Sequence, residues 1–204
     1  MNIKVNIFDW PSYQPVTESR ESIEHVNYEY AALISMCDNY LGKILDSMDK
    51  HDMWKDTMLI VNTDHGLLMG EDEWWGKNIQ PLYNEISNIP FFIWDPRLGI
   101  KNERREALVQ TIDITSLLEY FGIDIPGKMQ GKQLKETISK DTQIRDGALF
   151  GVHGGHINVT DGKYVYMRAA KSAENKPLFE YTLMPTVMRN FFSENQLKMA
   201  ELTN

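Results

Sequence analysis

The stretch Met58-Leu59-Ile60-Val61-Asn62-Thr63-Asp64-His65-Gly66 is a short apolar run that passes directly into a polar loop. Its first five residues are bounded by polar side chains, which predicts a buried strand. Open α/β sheets place ligand sites at the carboxyl ends of their strands, where Asp64 and His65 could face a metal together. Gly66 would let the backbone turn sharply and come close to a ligand. An ordinary turn, with Asp64 as a cap and His65 as a polar loop residue, explains the tripeptide equally well.

A long helix is predicted before this strand, from about Ser22 to Lys50. Apolar residues recur there at three- and four-residue steps and form one stripe: Tyr30, Ile34, Cys37, Leu41, Ile44 and Met48. We expect the stripe to be buried. Cys37 is therefore interpreted as a small core residue rather than a nucleophile.

Further elements follow the central strand. Residues 90–94 predict a second buried strand, and Asp113 is expected to cap a helix over residues 114–121 that stops at Gly122. The order helix, strand, loop, strand, helix indicates an α/β domain with a central sheet. We expect an irregular segment over 1–22, the α/β domain over 23–135, and an α+β subdomain over 136–204.

The predicted C-terminal subdomain is a small antiparallel unit. Residues 148–153, 157–160 and 163–169 have strand character, and Asp161-Gly162 is a tight-turn signal before the last of them. Ser193 and Gln196 have the spacing of a capping box, which predicts a short final helix.

The loop after the central strand carries Lys77, thirteen residues beyond Asp64. Long loops after strands are common places for active sites, and Lys77 could fold back over the strand end. Its ammonium could bind a sulfate or phosphate oxygen and stabilise charge there, or it could be a surface lysine. The acidic residues 71–73 fit a solvated face better than a catalytic pair.

Two histidines flank a Gly-Gly pair near the predicted C-terminal strands. His156, with His153, could line a substrate pocket, so His156 is a candidate substrate-binding residue. Two histidines without a third nearby ligand are weak grounds for a metal site.

The composition excludes several function classes. The 204 residues carry 21 basic and 29 acidic side chains, a net charge of −8, which argues against a nucleic-acid or anionic-membrane surface. One cysteine excludes an intramolecular disulfide framework and a cysteine-only zinc site. No apolar run approaches the roughly 20 residues of a membrane span. The first residues show no signal-peptide pattern, so we expect this chain to be cytoplasmic, although a signal peptide could belong to a missing N-terminus.

Several motifs together resemble the C-terminal half of the sulfatase family, within the alkaline phosphatase superfamily. They are residues 59–66, Met69-Gly70-Glu71 and Trp75-Gly76-Lys77-Asn78, and the similarity extends over roughly residues 25–135. The resemblance implies a partial alkaline-phosphatase-like α/β sandwich with a small C-terminal antiparallel β subdomain. It also implies hydrolysis of sulfate monoesters, with Asp64 and His65 as metal ligands and Lys77 in contact with the sulfate.

The chain departs from the family pattern at the nucleophile. In the family, a formylglycine made from the Cys or Ser of a Cys/Ser-x-Pro/Ala-x-Arg motif attacks sulfur, and a divalent cation, usually calcium, polarises the sulfate. That motif is absent, because Cys37 is followed by residues 38–41, Asp-Asn-Tyr-Leu. The first two family metal aspartates also have no counterpart. We therefore expect the C-terminal portion of a sulfatase-like hydrolase, inactive by itself.

Alternatives remain open. His65 offers a nitrogen ligand where many sulfatases carry Asn, which leaves room for manganese or zinc and for phosphonate or phosphodiester hydrolysis. A non-catalytic interaction module on the same scaffold is a further alternative. A genuine fragment would expose core surface and should self-associate through it.

Overall fold

The computed structural model describes residues 13–77, 81–179, 181, 186–187 and 190–199. The chain divides into two compact units, Met1–Ala169 and Ala170–Asn204. Within the first unit, the helices and strands are α1 (Arg20–Lys50), β1 (Leu59–Asn62), β2 (Leu68–Met69), β3 (Trp75–Gly76), α2 (Asn84–Ser87), β4 (Phe91–Trp94), α3 (Lys135–Lys140), β5 (Ala148–Gly151), β6 (Ile157–Thr160) and β7 (Val165–Arg168). The second unit contains β8 (Thr186–Val187), β9 (Asn190–Phe191) and α4 (Glu194–Met199).

Helix α1 confirms the predicted long helix but not its predicted burial. Ser19 caps it, accepting a hydrogen bond from the Ser22 N–H at 3.2 Å. Of the predicted stripe only Met48 is buried, while Ile34 is 50% exposed and Cys37 is exposed. The interpretation of Cys37 as a core residue is therefore wrong. Residues 31–40 are all exposed, because no described element covers the middle of the helix.

Strands β1 and β4 form an antiparallel pair in which Leu59 is opposite Trp94 and Asn62 is opposite Phe91. Both predicted strands are confirmed, but neither is fully buried, and Phe92 is 66% exposed. Among the described residues this sheet has only two strands. Trp54 closes one end of the pair, because its carbonyl oxygen accepts the Trp94 indole N–H at 3.0 Å.

The predicted helix after residue 113 is a 3₁₀ helix over Thr111–Phe121. Asp113 was expected to be its cap, but Gln110 holds that position. Asp113 is the third helical residue, and its carboxylate accepts the Gln110 N–H at 2.7 Å as one half of a capping box. Gly122 ends the helix as predicted, in the left-handed conformation with φ of 68°.

Strands β5, β6 and β7 form the predicted antiparallel sheet, in that order. Asp161 builds the tight turn between the last two strands by accepting the N–H groups of Lys163 and Tyr164, at 2.9 and 2.7 Å. In the second unit, Ser193 and Gln196 form the predicted capping box at the start of α4. Within the described residues, no helix combines the length and the apolar character needed to cross a membrane.

Candidate active site

The site begins where β1 ends, at Thr63-Asp64-His65-Gly66. The Gly66 N–H donates to the carbonyl oxygen of Ile86, 2.8 Å away in α2. A Cβ at Gly66 would overlap the carbonyl oxygen of Glu85. The glycine therefore allows the loop to lie directly against the backbone of α2. This contact fixes the backbone next to Asp64 and His65.

The hydrogen bonds of His65 determine which ring nitrogen faces the site. Nδ1 lies 2.8 Å from the carbonyl oxygen of Gly66, which can only accept, so Nδ1 carries the hydrogen. Nε2 then presents its lone pair to the ammonium of Lys77, which it contacts, and lies 3.3 Å from Oδ2 of Asp64. Metal-binding histidines usually have their other ring nitrogen held in this way by a backbone carbonyl or a carboxylate.

The carboxylate of Asp64 is open to solvent, with 83% of the side chain exposed. Its slight desolvation raises the pKa, but His65, the backbone N–H groups of Asp64 and His65, and Lys77 lower the pKa by more. The net pKa of Asp64 lies below the ordinary value, so the group is ionised at neutral pH. It offers a charged oxygen beside the lone pair of His65.

Lys77 reaches this point because of a short hairpin. Strands β2 and β3 pair antiparallel, with Leu68 opposite Gly76 and Met69 opposite Trp75. Both strands are buried, and Lys77 comes directly after the second. The hairpin brings the lysine back to the end of β1, as its position in the sequence predicted, and places its ammonium on His65.

Asp64 and His65 fit part of the coordination shell of a divalent cation. A carboxylate oxygen and an imidazole nitrogen 3.3 Å apart are both electron-pair donors, and a cation bound by them would take the Nε2 lone pair that the Lys77 ammonium contacts in this structure. The described residues contain no group of three or more His, Cys, Asp or Glu side chains able to hold a metal. Calcium takes 6–8 oxygen ligands, so these two residues supply only part of a calcium site.

No described hydrogen bond or ion pair joins the remaining candidates to this centre. His156 is exposed beside the start of β6, and no described hydrogen bond or ion pair joins it to Asp64, His65 or Lys77. The acidic residues 71–73 are exposed, as expected of a solvated face. Glu71 has one structural role, because its carboxylate accepts the Met69 N–H at 2.5 Å.

Sequence reasoning missed one structural contributor, the segment 13–18. This stretch falls in the predicted irregular region, yet Pro15 forms an antiparallel bridge with Trp74. The Trp75 indole N–H also donates to Glu18 at 2.8 Å. The segment has no sequence periodicity that would have revealed it. Its conformation depends on the hairpin with which it pairs. Residues 1–12 of the predicted irregular region lie outside the described residues.

Comparison with known proteins gives consistent matches. Residues 9–123 match the sulfatase family, and residues 70–203 match the family described as N-sulphoglucosamine sulphohydrolase, C-terminal. An arylsulfatase of Clostridium perfringens is 25% identical over 143 residues, which cover 68% of this chain and 28% of that protein. Arylsulfatase K of Xenopus laevis is 26% identical over 204 residues, covering 92% of this chain and 37% of that protein.

A solved structure shows that the fold is shared. A phosphonate monoester hydrolase from Silicibacter pomeroyi superimposes with a TM-score of 0.69 at 19% identity, covering 79% of this chain and 35% of that one. This likeness confirms the predicted alkaline-phosphatase-like α/β fold. The chain spans 28% and 37% of the two curated relatives named above. Since the sulfatase family model matches residues 9–123, more than half of the chain, this chain belongs to the sulfatase family.

Proposed function

We propose that this chain supplies part of the active site of a sulfuric ester hydrolase. In this proposal Asp64 and His65 are two ligands of a divalent cation, and Lys77 binds a sulfate oxygen. The observation that carries it is the convergence of these three side chains at the end of β1, with the ammonium of Lys77 on His65 Nε2. Membership of the sulfatase family supports the same assignment of roles.

The charges suit an anionic substrate. A sulfate monoester carries negative charge on its terminal oxygens, and more negative charge develops on the leaving oxygen as the S–O bond breaks. Lys77 can donate hydrogen bonds to such oxygens, and an ammonium already in place stabilises the developing charge without reorganisation. A divalent cation held by Asp64 and His65 would polarise the sulfate.

We propose that the chain alone does not turn over sulfate esters. It contains no Cys/Ser-x-Pro/Ala-x-Arg motif, and its only cysteine, Cys37, lies on the exposed middle of α1. The described residues offer two metal ligands, fewer than a catalytic cation needs. The nucleophile and the other ligands would come from polypeptide equivalent to the part of the relatives that this chain does not span. His156 stays a candidate substrate contact from the C-terminal subdomain.

Cation binding tests the two ligands directly. Isothermal titration of the chain with Mn²⁺ and Ca²⁺ should give weak binding, with manganese preferred because His65 offers nitrogen. Asp64→Asn and His65→Ala should each weaken Mn²⁺ binding about tenfold or more. Asp124→Asn and His153→Ala, at exposed positions, are the matched controls. Equal Mn²⁺ affinity in all variants would show that Asp64 and His65 are not ligands.

Turnover tests the proposed inactivity. The pure chain should not hydrolyse a chromogenic aryl sulfate. Measurable turnover that Lys77→Ala abolishes and Lys140→Ala leaves unchanged would contradict that expectation, since Lys140 is an exposed lysine in a surface pair with Glu136.

A second candidate is phosphonate or phosphodiester hydrolysis at the same residues. Two observations support this candidate. The fold is similar to that of a phosphonate monoester hydrolase, and His65 offers a nitrogen ligand. Relative rates on matched sulfate and phosphonate esters, measured with a polypeptide that also carries the nucleophile, decide between the two. A non-catalytic interaction module, the third possibility, predicts no Mn²⁺ binding at Asp64 and His65.

A further inference from the structure

We propose that residues 13–18 are a positioning element for Lys77, an inference that rests on the proposed role of Lys77 as an oxyanion contact. We call them the N-terminal strap. They hold the backbone that carries the lysine through hydrogen bonds and ring packing, without touching the reacting groups themselves.

The backbone of the strap is hydrogen-bonded to the edge of the hairpin around an isolated antiparallel bridge. The Val16 N–H donates to the carbonyl oxygen of Glu73 at 2.8 Å, and the Trp75 N–H donates to that of Gln14 at 2.9 Å. On the opposite edge, Trp75 and Gly76 pair with β2. Trp75 is therefore paired on both edges, and Lys77 lies only two residues beyond it.

The side chain of Trp75 anchors the strap from inside the molecule. Trp75 is fully buried, with 0% exposure, and its indole N–H donates to the Glu18 carboxylate at 2.8 Å. The same carboxylate oxygen accepts the Thr17 N–H at 2.9 Å. Hydrogen bonds to a carboxylate are stronger than those between neutral groups. Because Ser19, the next residue, caps α1, this bond also ties the hairpin to the long helix.

Tyr13 fixes the residue immediately before the lysine. Gly76 has a φ of +92°, and a Cβ there would overlap the Tyr13 ring. The ring thus packs directly on the backbone of Gly76. A position that requires glycine both for its φ and for this contact has little freedom to shift.

The expected consequence is specific to Lys77. A lysine side chain loses much rotamer freedom when it is held at one point, so a fixed backbone makes its contact with His65 less costly. Asp64 and His65 are held differently, by β1 and by the Gly66 contact with α2. Loosening the strap should therefore impair oxyanion binding by Lys77 without weakening cation binding by Asp64 and His65.

The test compares Glu18→Ala with Glu18→Gln, which keeps an acceptor for the indole, and with Glu21→Ala, an exposed acid in the first turn of α1. The probes are inorganic sulfate and Mn²⁺, titrated separately into the full chain. Glu18→Ala should weaken sulfate binding about threefold to tenfold, Glu18→Gln should recover most of it, and Mn²⁺ affinity should not fall in either variant. Magnetisation transfer between the Lys77 ε-protons and the His65 ring should weaken only in Glu18→Ala.

Each result has one meaning. If Lys77→Ala does not reduce sulfate binding, or the wild type binds none, the proposed role of Lys77 fails. In that case the magnetisation transfer between Lys77 and the His65 ring still shows whether the strap positions Lys77. If Lys77→Ala weakens sulfate binding but Glu18→Ala behaves like Glu21→Ala, the positioning inference fails. Equal losses of sulfate and Mn²⁺ affinity in Glu18→Ala would show a general structural role and overturn it. Should Glu18→Ala not fold, Tyr13→Ala against Tyr13→Phe repeats the comparison at the Gly76 contact.

Discussion

The Asp113 carboxylate lies 2.5 and 2.6 Å from two guanidinium nitrogens of Arg145, and Asp113 is fully buried. The same carboxylate accepts the N–H groups of Gln110 and Lys132, each at 2.7 Å. Arg145 also donates to the carbonyl oxygen of Leu108 at 3.1 Å. One buried acid thus joins the 3₁₀ helix, the loop after it, and the segment before β5.

Removing Arg145 should destabilise the fold strongly. Arg145→Met leaves the Asp113 carboxylate buried without its counter-ion, which typically costs about 3–5 kcal/mol. The measurement is the free energy of unfolding in urea, with Lys140→Ala as the control for loss of a surface ion pair. Asp113→Leu combined with Arg145→Met should cost less than the sum of the two single changes. Strict additivity would show that the pair is not coupled.

Acid should reduce the contribution of the Asp113 carboxylate to the stability of the fold. Burial raises the pKa of Asp113, but hydrogen bonds from Arg145, Lys132 and Gln110 lower it more, to a net value below the ordinary 3.8. A depressed pKa means that the stabilisation is present above pH 3.8, the unfolded-state value, and is lost as the pH falls through the folded-state pKa. Melting temperatures measured from about pH 5 down to about pH 2 should fall more steeply in the wild type than in Asp113→Asn. Parallel profiles would contradict this assignment.

Gly66→Ala should be far more damaging than Gly42→Ala. The new methyl at position 66 meets the Glu85 carbonyl, so the loop must move and its bond to Ile86 is strained. We expect a loss of roughly 1–3 kcal/mol or more. A Cβ at Gly42 meets nothing within 4 Å, so there alanine should stabilise α1 by about 0.5–1 kcal/mol. Thermal unfolding distinguishes the two, and similar effects would show that Gly66 is not tightly packed.

The apolar side of α1 should mediate self-association. Leu33 and Ile34 are 49% and 50% exposed in the uncovered middle of the helix. Contiguous apolar surface of this kind marks an interaction face. Sedimentation velocity over a range of concentrations should show assemblies that Ile34→Glu dissociates, whereas Asn39→Glu, half a helical turn away from the stripe, leaves them unchanged. A monodisperse monomer at every concentration would favour the stand-alone module instead.

Much of the local structure could be predicted from the sequence. The three- and four-residue apolar spacing predicted α1, and the capping residues predicted where the helices at Gly122 and Ser193 stop and start. These features depend on neighbours along the chain, so their physics is readable in a short window. Burial was harder. Cys37 has the right spacing for a core position, but spacing does not reveal whether a covering layer exists.

The sequence by itself determined the helix α1, the strand-to-loop passage into Asp64 and His65, and the sulfatase resemblance that singled out Lys77. Only the tertiary structure decided which groups meet. It placed Lys77 on His65, Glu18 on Trp75 across 57 positions, and Arg145 on Asp113 across 32 positions. Such contacts depend on chain segments far apart in sequence. Their pairing is set by packing and by the need to satisfy buried polar groups, and no local pattern encodes it.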